Sequence, residues 1–268
     1  MVTSEIEASH PDSQKEHDPQ SFIRSLGRGL TVIEALGKTP GRHTLAELAK
    51  VSHLNRAVAR RVLLTLVELG YCAVDGRYYQ LTPRTLSLGL SFARGLPFWG
   101  YAQQALEDVR AQIGESCALA VLDVPDIVYL IRLPAKRILP TTLSIGSRLP
   151  AHAVSLGRVM LANLDDAKLE SYLHNSKRQA FTQNTLVDAV QLSAELKRVK
   201  NQGYSWVKSE LDSAIAGIAV PVRNQENAVI AAISTSFVAE PANEEAAKAK
   251  MLPHLQRAAM DIRTNTPA

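Results

Sequence analysis

Residues Thr44 to Leu81, TLAELAKVSHLNRAVARRVLLTLVELGYCAVDGRYYQL, constrain the fold more than any other stretch of this 268-residue chain. Thr44 and Glu47 have capping-box spacing, in which a threonine oxygen and a glutamate carboxylate each satisfy a free amide at a helix start. Leu45, Leu48 and Ala49 follow at helical spacing. Val51-Ser52-His53 makes a bend, and Leu54 is an inward anchor. Asn55 is an N-cap for a second helix. Val58, Val62, Leu63, Leu66 and Val67 form the buried stripe of that helix, and Gly70 stops it. Arg56, Arg60, Arg61 and Thr65 lie off the stripe. Tyr71–Val74 and Arg77–Leu81 read as strands. Asp75-Gly76 between them is a strong hairpin signal, since both turn residues need positive φ.

A helix from Ser25 to Leu36 precedes this stretch. Leu26, Leu30 and Ile33 are expected to face the core, with Gly37 as the stop. Two short helices, an arginine-rich second helix and a D-G hairpin, in that order, predict a winged helix-turn-helix that reads double-stranded DNA. A solvated charged face is the bland alternative for the arginines. The register of cap, bend, arginine face and wing argues against it.

Charge supports the same reading. Residues 21–82 hold nine Lys/Arg against four Asp/Glu, while residues 1–20 hold one Lys against five Asp/Glu. Positive charge is concentrated where phosphate would be neutralised. Arg56 and Arg60 lie one turn apart near the helix start and are the first candidates for base or phosphate contact. Arg61 follows, in a phosphate or packing role. Arg77 on the wing, and Arg24 and Arg28 before the module, are placed to meet backbone or minor groove. Thr44 and Asn55 complete the DNA-facing set.

The chain is long enough for about two domains. Residues 1–20 read as a disordered acidic tail, 21–82 as the DNA-binding domain and 83–97 as a linker helix. The linker starts at Thr82-Pro83, carries Leu86, Leu90 and Phe92, and breaks at Gly95-Leu96-Pro97. It is a plausible dimer contact, because such readers usually engage two half-sites. Packing within its own chain is the alternative.

Residues 98–268 read as an α/β sensor domain. It opens with a helix from Phe98 to Ile113 that offers Trp99, Ala102, Leu106, Val109 and Ile113 to a core. Strands are expected over Ser116–Leu122, Ile127–Leu133 and Thr141–Ile145. A helix over His152–Leu164 comes next, then one capped by Asp165 or Asp166 and one over Leu186–Gln202. Strands follow at Tyr204–Lys208, Gly217–Val222 and Ala228–Phe237, and a helix over Asn243–Arg263 closes the chain. The class is α+β with a mixed or antiparallel sheet. Cys72 and Cys117 sit in apolar runs and read as buried thiols of a reducing cytoplasm. No run approaches membrane-spanning length, so no membrane partner is expected.

No GxSxG, HExxH, paired CxxC or phosphate-binding glycine loop occurs. The histidines, including His10 and His17 in the tail, are scattered. The carboxylate pairs Asp165-Asp166 and Glu244-Glu245 sit at helix starts, where they complement the dipole. No catalytic residue, metal site or cofactor is assigned, and the chain is not read as an enzyme.

The chain resembles the IclR family of transcriptional regulators, and within it the PcaR/PcaU/PobR group of aromatic-acid regulators. The matching segments are SFIRSLGRGLTVIEALG (21–37), LNRAVARRVLLTLVELGY (54–71), LTPRTLSLG (81–89), DIVYLIRLPAKRI (126–138), LSIGSRLPAHAVSLGRVMLANL (143–164) and GIAVPVRN (217–224). The resemblance implies a GAF-like effector domain, a dimer or dimer of dimers, a small and often aromatic acid as effector, and control of β-ketoadipate-type catabolism. Members tuned to glyoxylate, pyruvate or efflux substrates are the alternative.

Matched to the family, Ser155 and Leu156 fall where backbone amides meet an effector carboxylate, and Ser234 and Ser236 where a serine pair binds ligand. Those serines alternate along AAISTSF and so share one face. Arg148 and His152 flank the helix start after Pro150 and could pair with a carboxylate or phenol; a structural ion pair is the alternative for Arg148. The group's GLRSIAVP-like stretch is AIAGIAVP here (214–221), without the arginine expected near Ala216.

Overall fold

A computed structural model of the chain describes residues 22–38, 41–135, 143–239 and 243–266. The expected acidic tail, residues 1–20, lies outside them. The described residues fall into two compact units, one ending at Leu96 and one beginning at Pro97.

The first unit contains α1 (Arg24–Lys38), β1 (His43–Thr44), α2 (Leu45–Val51), α3 (Arg56–Glu68), β2 (Cys72–Asp75), β3 (Tyr78–Leu81) and α4 (Arg84–Arg94). Its small sheet runs β1-β3-β2. Val32, Ala35, Leu36, Leu48, Leu63, Leu66 and Cys72 form the core. This is the winged helix-turn-helix arrangement.

Local chemistry sets the element ends. The capping box at Thr44 and Glu47 is formed. Asn55 Oδ1 accepts from the Val58 amide at 2.9 Å. After α3, Gly70 takes φ +76. The Gly70 amide donates to the Val67 carbonyl at 3.0 Å and the Tyr71 amide to that of Leu66 at 2.9 Å. These two bonds make a Schellman stop.

Three details differ from the sequence reading. Leu26 and Leu30 are 60% and 52% exposed, because α1 turns Val32, Ala35 and Leu36 inward instead. Gly37 does not end α1, which runs on through Lys38. The hairpin turn is Gly76-Arg77, not Asp75-Gly76: Asp75 pairs with Tyr78, and Gly76 has positive φ. A short strand, β1, also joins the wing by pairing His43 with Tyr79.

The second unit opens with α5 (Trp99–Ile113), β4 (Ser116–Asp123), β5 (Asp126–Leu133) and β6 (Arg148–Pro150). A 3-10 turn (Ala151–Ala153) leads to α6 (Ser155–Leu161), α7 (Asp166–Asn175) and α8 (Ala189–Gln202). Then come β7 (Ser205–Lys208), β8 (Ile215–Arg223), β9 (Val229–Val238) and α9 (Glu244–Asn265). The sheet order is β6-β5-β4-β9-β8-β7, and its pairings are antiparallel. Helix α6 packs on one face, and α5 and α9 pack against β4, β8 and β9 from the other. Cys117 is buried and unpaired, and burial pushes its thiol up to about 12.

The expected strand over Thr141–Ile145 is corrected. Thr141 lies outside the described residues, Leu143 to Ile145 are not strand, and the edge is β6 instead. The single helix expected over His152–Leu164 is broken. Val154, with φ −130 and ψ 148, separates the 3-10 turn from α6. Gly157 lets the two pieces lie against each other: a Cβ there would stand 2.2 Å from the Ala151 oxygen.

Candidate functional site

The first unit presents a basic surface. Arg56, Arg60 and Arg61 are exposed on α3 and have no ion-pair partner among the described residues. Arg24 and Arg28 are exposed on α1. Arg77 follows Gly76 at the wing tip, where its guanidinium donates to the Tyr78 hydroxyl at 2.9 Å and lies 5.1 Å from that ring's centroid. Thr44 and Asn55 use their side-chain oxygens in the two helix caps. Arg42, which the sequence reading passed over, pairs with Asp75 and braces the wing.

The second unit encloses a cavity of about 370 Å³ between α6 and the sheet. Four of the expected effector residues line it: Ser155, Leu156, Ser234 and Ser236. The register explains the serines. Ser236 pairs with Ser116 and Ser234 with Ala118, so Ser116 joins them on the same face. Ser116 donates to the Ser236 carbonyl at 2.8 Å. Helix α6 has seven residues and no side-chain cap bond at Val154.

Arg148 and His152 are not among the lining residues. The Arg148 guanidinium holds Asp123 and Asp126, tying β6 to the turn between β4 and β5. His152 is buried, and its Nε2 donates to the Gln179 carbonyl at 3.0 Å. Burial lowers the His152 pKa below the ordinary 6.5, against a smaller opposite effect of that hydrogen bond. A buried neutral histidine binds protons less readily than the unfolded chain does. Stability is therefore expected to fall as pH drops below 6.5 toward the depressed folded value. Urea denaturation across that window should show the loss, and His152→Gln should flatten it.

Sequence reasoning missed three charged residues on the cavity wall, Arg132, Glu210 and Asp212, and two of them have notable surroundings. One is Glu210. Its Oε2 accepts from the Leu186 amide at 3.0 Å and from Arg158, which is itself buried. Burial pushes the Glu210 carboxyl up, and Arg158 pulls it back by a smaller amount. The other is Arg132, whose Nε and Nη1 are buried without a hydrogen-bond partner among the described residues. An unmet buried donor costs about 1–3 kcal/mol, and more when charged.

Arg132 faces the cavity because of a bulge. Leu119 pairs with Ile131 but Ala120 pairs with Tyr129, so Leu130 is an extra residue in β5. Tyr129 and Arg132, three apart, therefore share a face that strict alternation would deny them. The Arg132 Cζ lies 5.8 Å from the Tyr129 ring centroid.

The AIAGIAVP departure also acquires a geometry. Ile215 and Gly217 line the cavity; Ala216 alternates with them and points to the opposite face, where it is buried. An arginine at position 216 would point away from this cavity. Gly217 is the position that matters, since a Cβ there would meet Ser155 Oγ at 3.0 Å. Among the described residues no cluster of His, Cys, Asp or Glu suits a metal ion, and no helix is long and apolar enough to cross a membrane.

Comparison with known proteins agrees with both units. Residues 25–76 match the IclR helix-turn-helix domain, and residues 94–264 match the bacterial transcriptional regulator IclR C-terminal family. The chain is 36% identical over 246 residues to the Pca regulon regulatory protein of Pseudomonas putida, covering 91% of this chain and 84% of that one. It is 30% identical over 260 residues to the p-hydroxybenzoate hydroxylase transcriptional activator of Acinetobacter baylyi, covering 95% and 96%. An IclR homolog from Microbacterium hydrocarbonoxydans, solved in complex with 4-hydroxybenzoate, superposes with a TM-score of 0.80 at 26% identity, covering 90% and 98%. With a winged helix-turn-helix in one unit and an α6-covered antiparallel sheet in the other, the chain belongs to the IclR family of bacterial transcriptional regulators.

Proposed function

We propose that this regulator binds operator DNA as a homodimer or dimer of dimers, and that a small aromatic carboxylic acid in the α6–sheet cavity controls it. The genes under control are those of aromatic-compound catabolism. The observation that carries the reading is the cavity itself: hydroxyls of Ser116, Ser234 and Ser236, the carboxylates of Glu210 and Asp212, and an arginine with two buried nitrogens lacking a hydrogen bond among the described residues line a space whose other walls are largely apolar. A few convergent polar groups in an apolar pocket suit a small ligand. The aromatic choice draws on the Pca and p-hydroxybenzoate regulators named above and on the 4-hydroxybenzoate bound to a relative.

DNA contact is assigned to Arg56, Arg60 and Arg61 on α3, to Arg77 on the wing and to Arg24 and Arg28 on α1. The side chains of Thr44 and Asn55 hold the helix starts that face it. The dimer reading draws on apolar side chains left exposed in the first unit, among them Leu30 on α1 and Leu86, Leu88 and Phe92 on α4. A second copy would cover them. The acid acts only if it binds two poses of the regulator with different affinity. The protein works by binding, and none of its residues is given a catalytic role.

A footprint on DNA upstream of the gene should show protection over a near-palindrome or direct repeat. Arg60→Ala is expected to weaken binding by about tenfold or more. Binding at wild-type strength across a salt series would remove α3 as the reading helix. Thermal-shift measurements should show stabilisation by aromatic acids, reduced in Ser234→Ala. Stabilisation by glyoxylate or pyruvate alone would reassign the effector.

A further inference from the structure

We propose that Arg132 is the carboxylate anchor of the α6–sheet cavity, and that the site takes a monoanionic carboxylate. The inference rests on reading that cavity as the effector site. Two nitrogens of Arg132 are buried with nothing to donate to among the described residues. A guanidinium offers five N–H donors and no acceptor, so only an acceptor-rich group satisfies it. A carboxylate does so with two parallel charge-assisted bonds.

Other charged groups on the wall cannot take this role. Glu210 and Asp212 are carboxylates, which repel an anion. The nearby Arg158 is not among the lining residues and is already committed: it donates to Glu210, and its Nε donates to the His152 carbonyl at 2.9 Å. The position that carries an arginine in related sequences, Ala216 here, points to the other face of the sheet. Arg132 is thus the one cation lining the cavity among the described residues.

Position in the sheet adds an orientation. Arg132 pairs across to Ala118, which pairs to Ser234, which pairs to Ala219 on β8. Glu210 and Asp212 follow β7, beyond β8. With strands about 4.8 Å apart, the cation and the carboxylates hold opposite flanks, and the serines lie between them. The ligand's carboxylate belongs at the β5 flank, its body over Ser234 and Ser236. The β5 bulge at Leu130 is the device that aims the anchor.

The test uses the full-length protein with two probes of the same shape, 4-hydroxybenzoate and the neutral 4-hydroxybenzamide, read by calorimetry and thermal shift. Wild type is expected to prefer the acid at least tenfold. Arg132→Met should cut acid affinity about tenfold or more and bring acid and amide level. Its unliganded melting temperature should change little, since among the described residues Nε and Nη1 make no hydrogen bond that the substitution would remove. Arg132→Lys, which keeps the charge but loses the fork, should fall between. If the acid binds wild type and Arg132→Met equally, Arg132 is not the anchor, while the cavity reading stands. If wild type does not bind 4-hydroxybenzoate, the reading of the cavity as a site for this aromatic acid fails and the anchor with it. Should Arg132→Met be unstable, Arg132→Lys decides: an unchanged acid-to-amide ratio overturns the assignment, and a reduced ratio supports it.

Discussion

Arg158→Met is expected to lower the unfolding free energy of the second unit by about 3–5 kcal/mol. The Arg158 side chain is 2% exposed and that of Glu210 8%. Removing the cation leaves the carboxylate buried with only the Leu186 amide on Oε2. The damage should spread along a defined network. The Glu210 carbonyl accepts from the Thr185 hydroxyl at 2.6 Å, and the Ser209 carbonyl from Thr182 at 2.7 Å. Arg158 also holds the His152 carbonyl. The 3-10 turn, the segment before α8 and the cavity wall at Glu210 thus share one buried ion pair. Urea denaturation should give the loss, and Arg158→Met combined with Glu210→Leu should recover much of it, because an apolar pair leaves no stranded charge. A single-variant cost below about 1 kcal/mol would mean the charges are far better solvated than their burial implies.

Gly157→Ala is expected to be nearly as harmful. The added Cβ would lie 2.2 Å from the Ala151 oxygen and 2.4 Å from its Cα. Backbone atoms cannot rotate away, so the 3-10 turn and α6 must separate. The cost should reach at least the upper part of the about 1–3 kcal/mol typical of overpacked cores. Because Ala153, Ser155 and Leu156 line the cavity from this corner, acid binding should be lost together with stability. A melting temperature and an acid affinity both equal to wild type would show that the corner can open without consequence. The same substitution at Gly89, where a Cβ meets nothing within 4 Å, is a control for the glycine change itself.

Much of the first unit is legible because its determinants are local. A capping box, an N-cap, a left-handed stop and a hairpin glycine each act within a few residues. Errors there were of phase. In α1 the apolar residues outnumber those the core can accept, so Leu26 and Leu30 fitted a helical stripe as well as Val32 and Leu36 did. In the wing, Asp75-Gly76 had the right composition, but pairing of Asp75 with Tyr78 moved the turn by one residue.

The second unit was legible as a list of elements and less so as a site. Ser234 and Ser236 were visible because period-two alternation holds along β9. Arg148 and His152 attracted attention by their place beside Pro150, yet their partners are far along the chain: Asp123 lies 25 residues from Arg148 and Gln179 lies 27 from His152. Ala216 drew attention as a departure from a motif, although strand phase turns it from the cavity and leaves Gly217 as the position of consequence.

By itself, the sequence determined the DNA-reading module, its arginine face and the family. Hydrogen bonds between near neighbours and the periods of helix and strand are written directly in residue order. The tertiary structure decided which charge faces the cavity. A one-residue bulge in β5, set by pairing with β4, reverses the expected phase and delivers Arg132 to the same face as Tyr129. That phase depends on strand register, which no local rule of residue spacing contains.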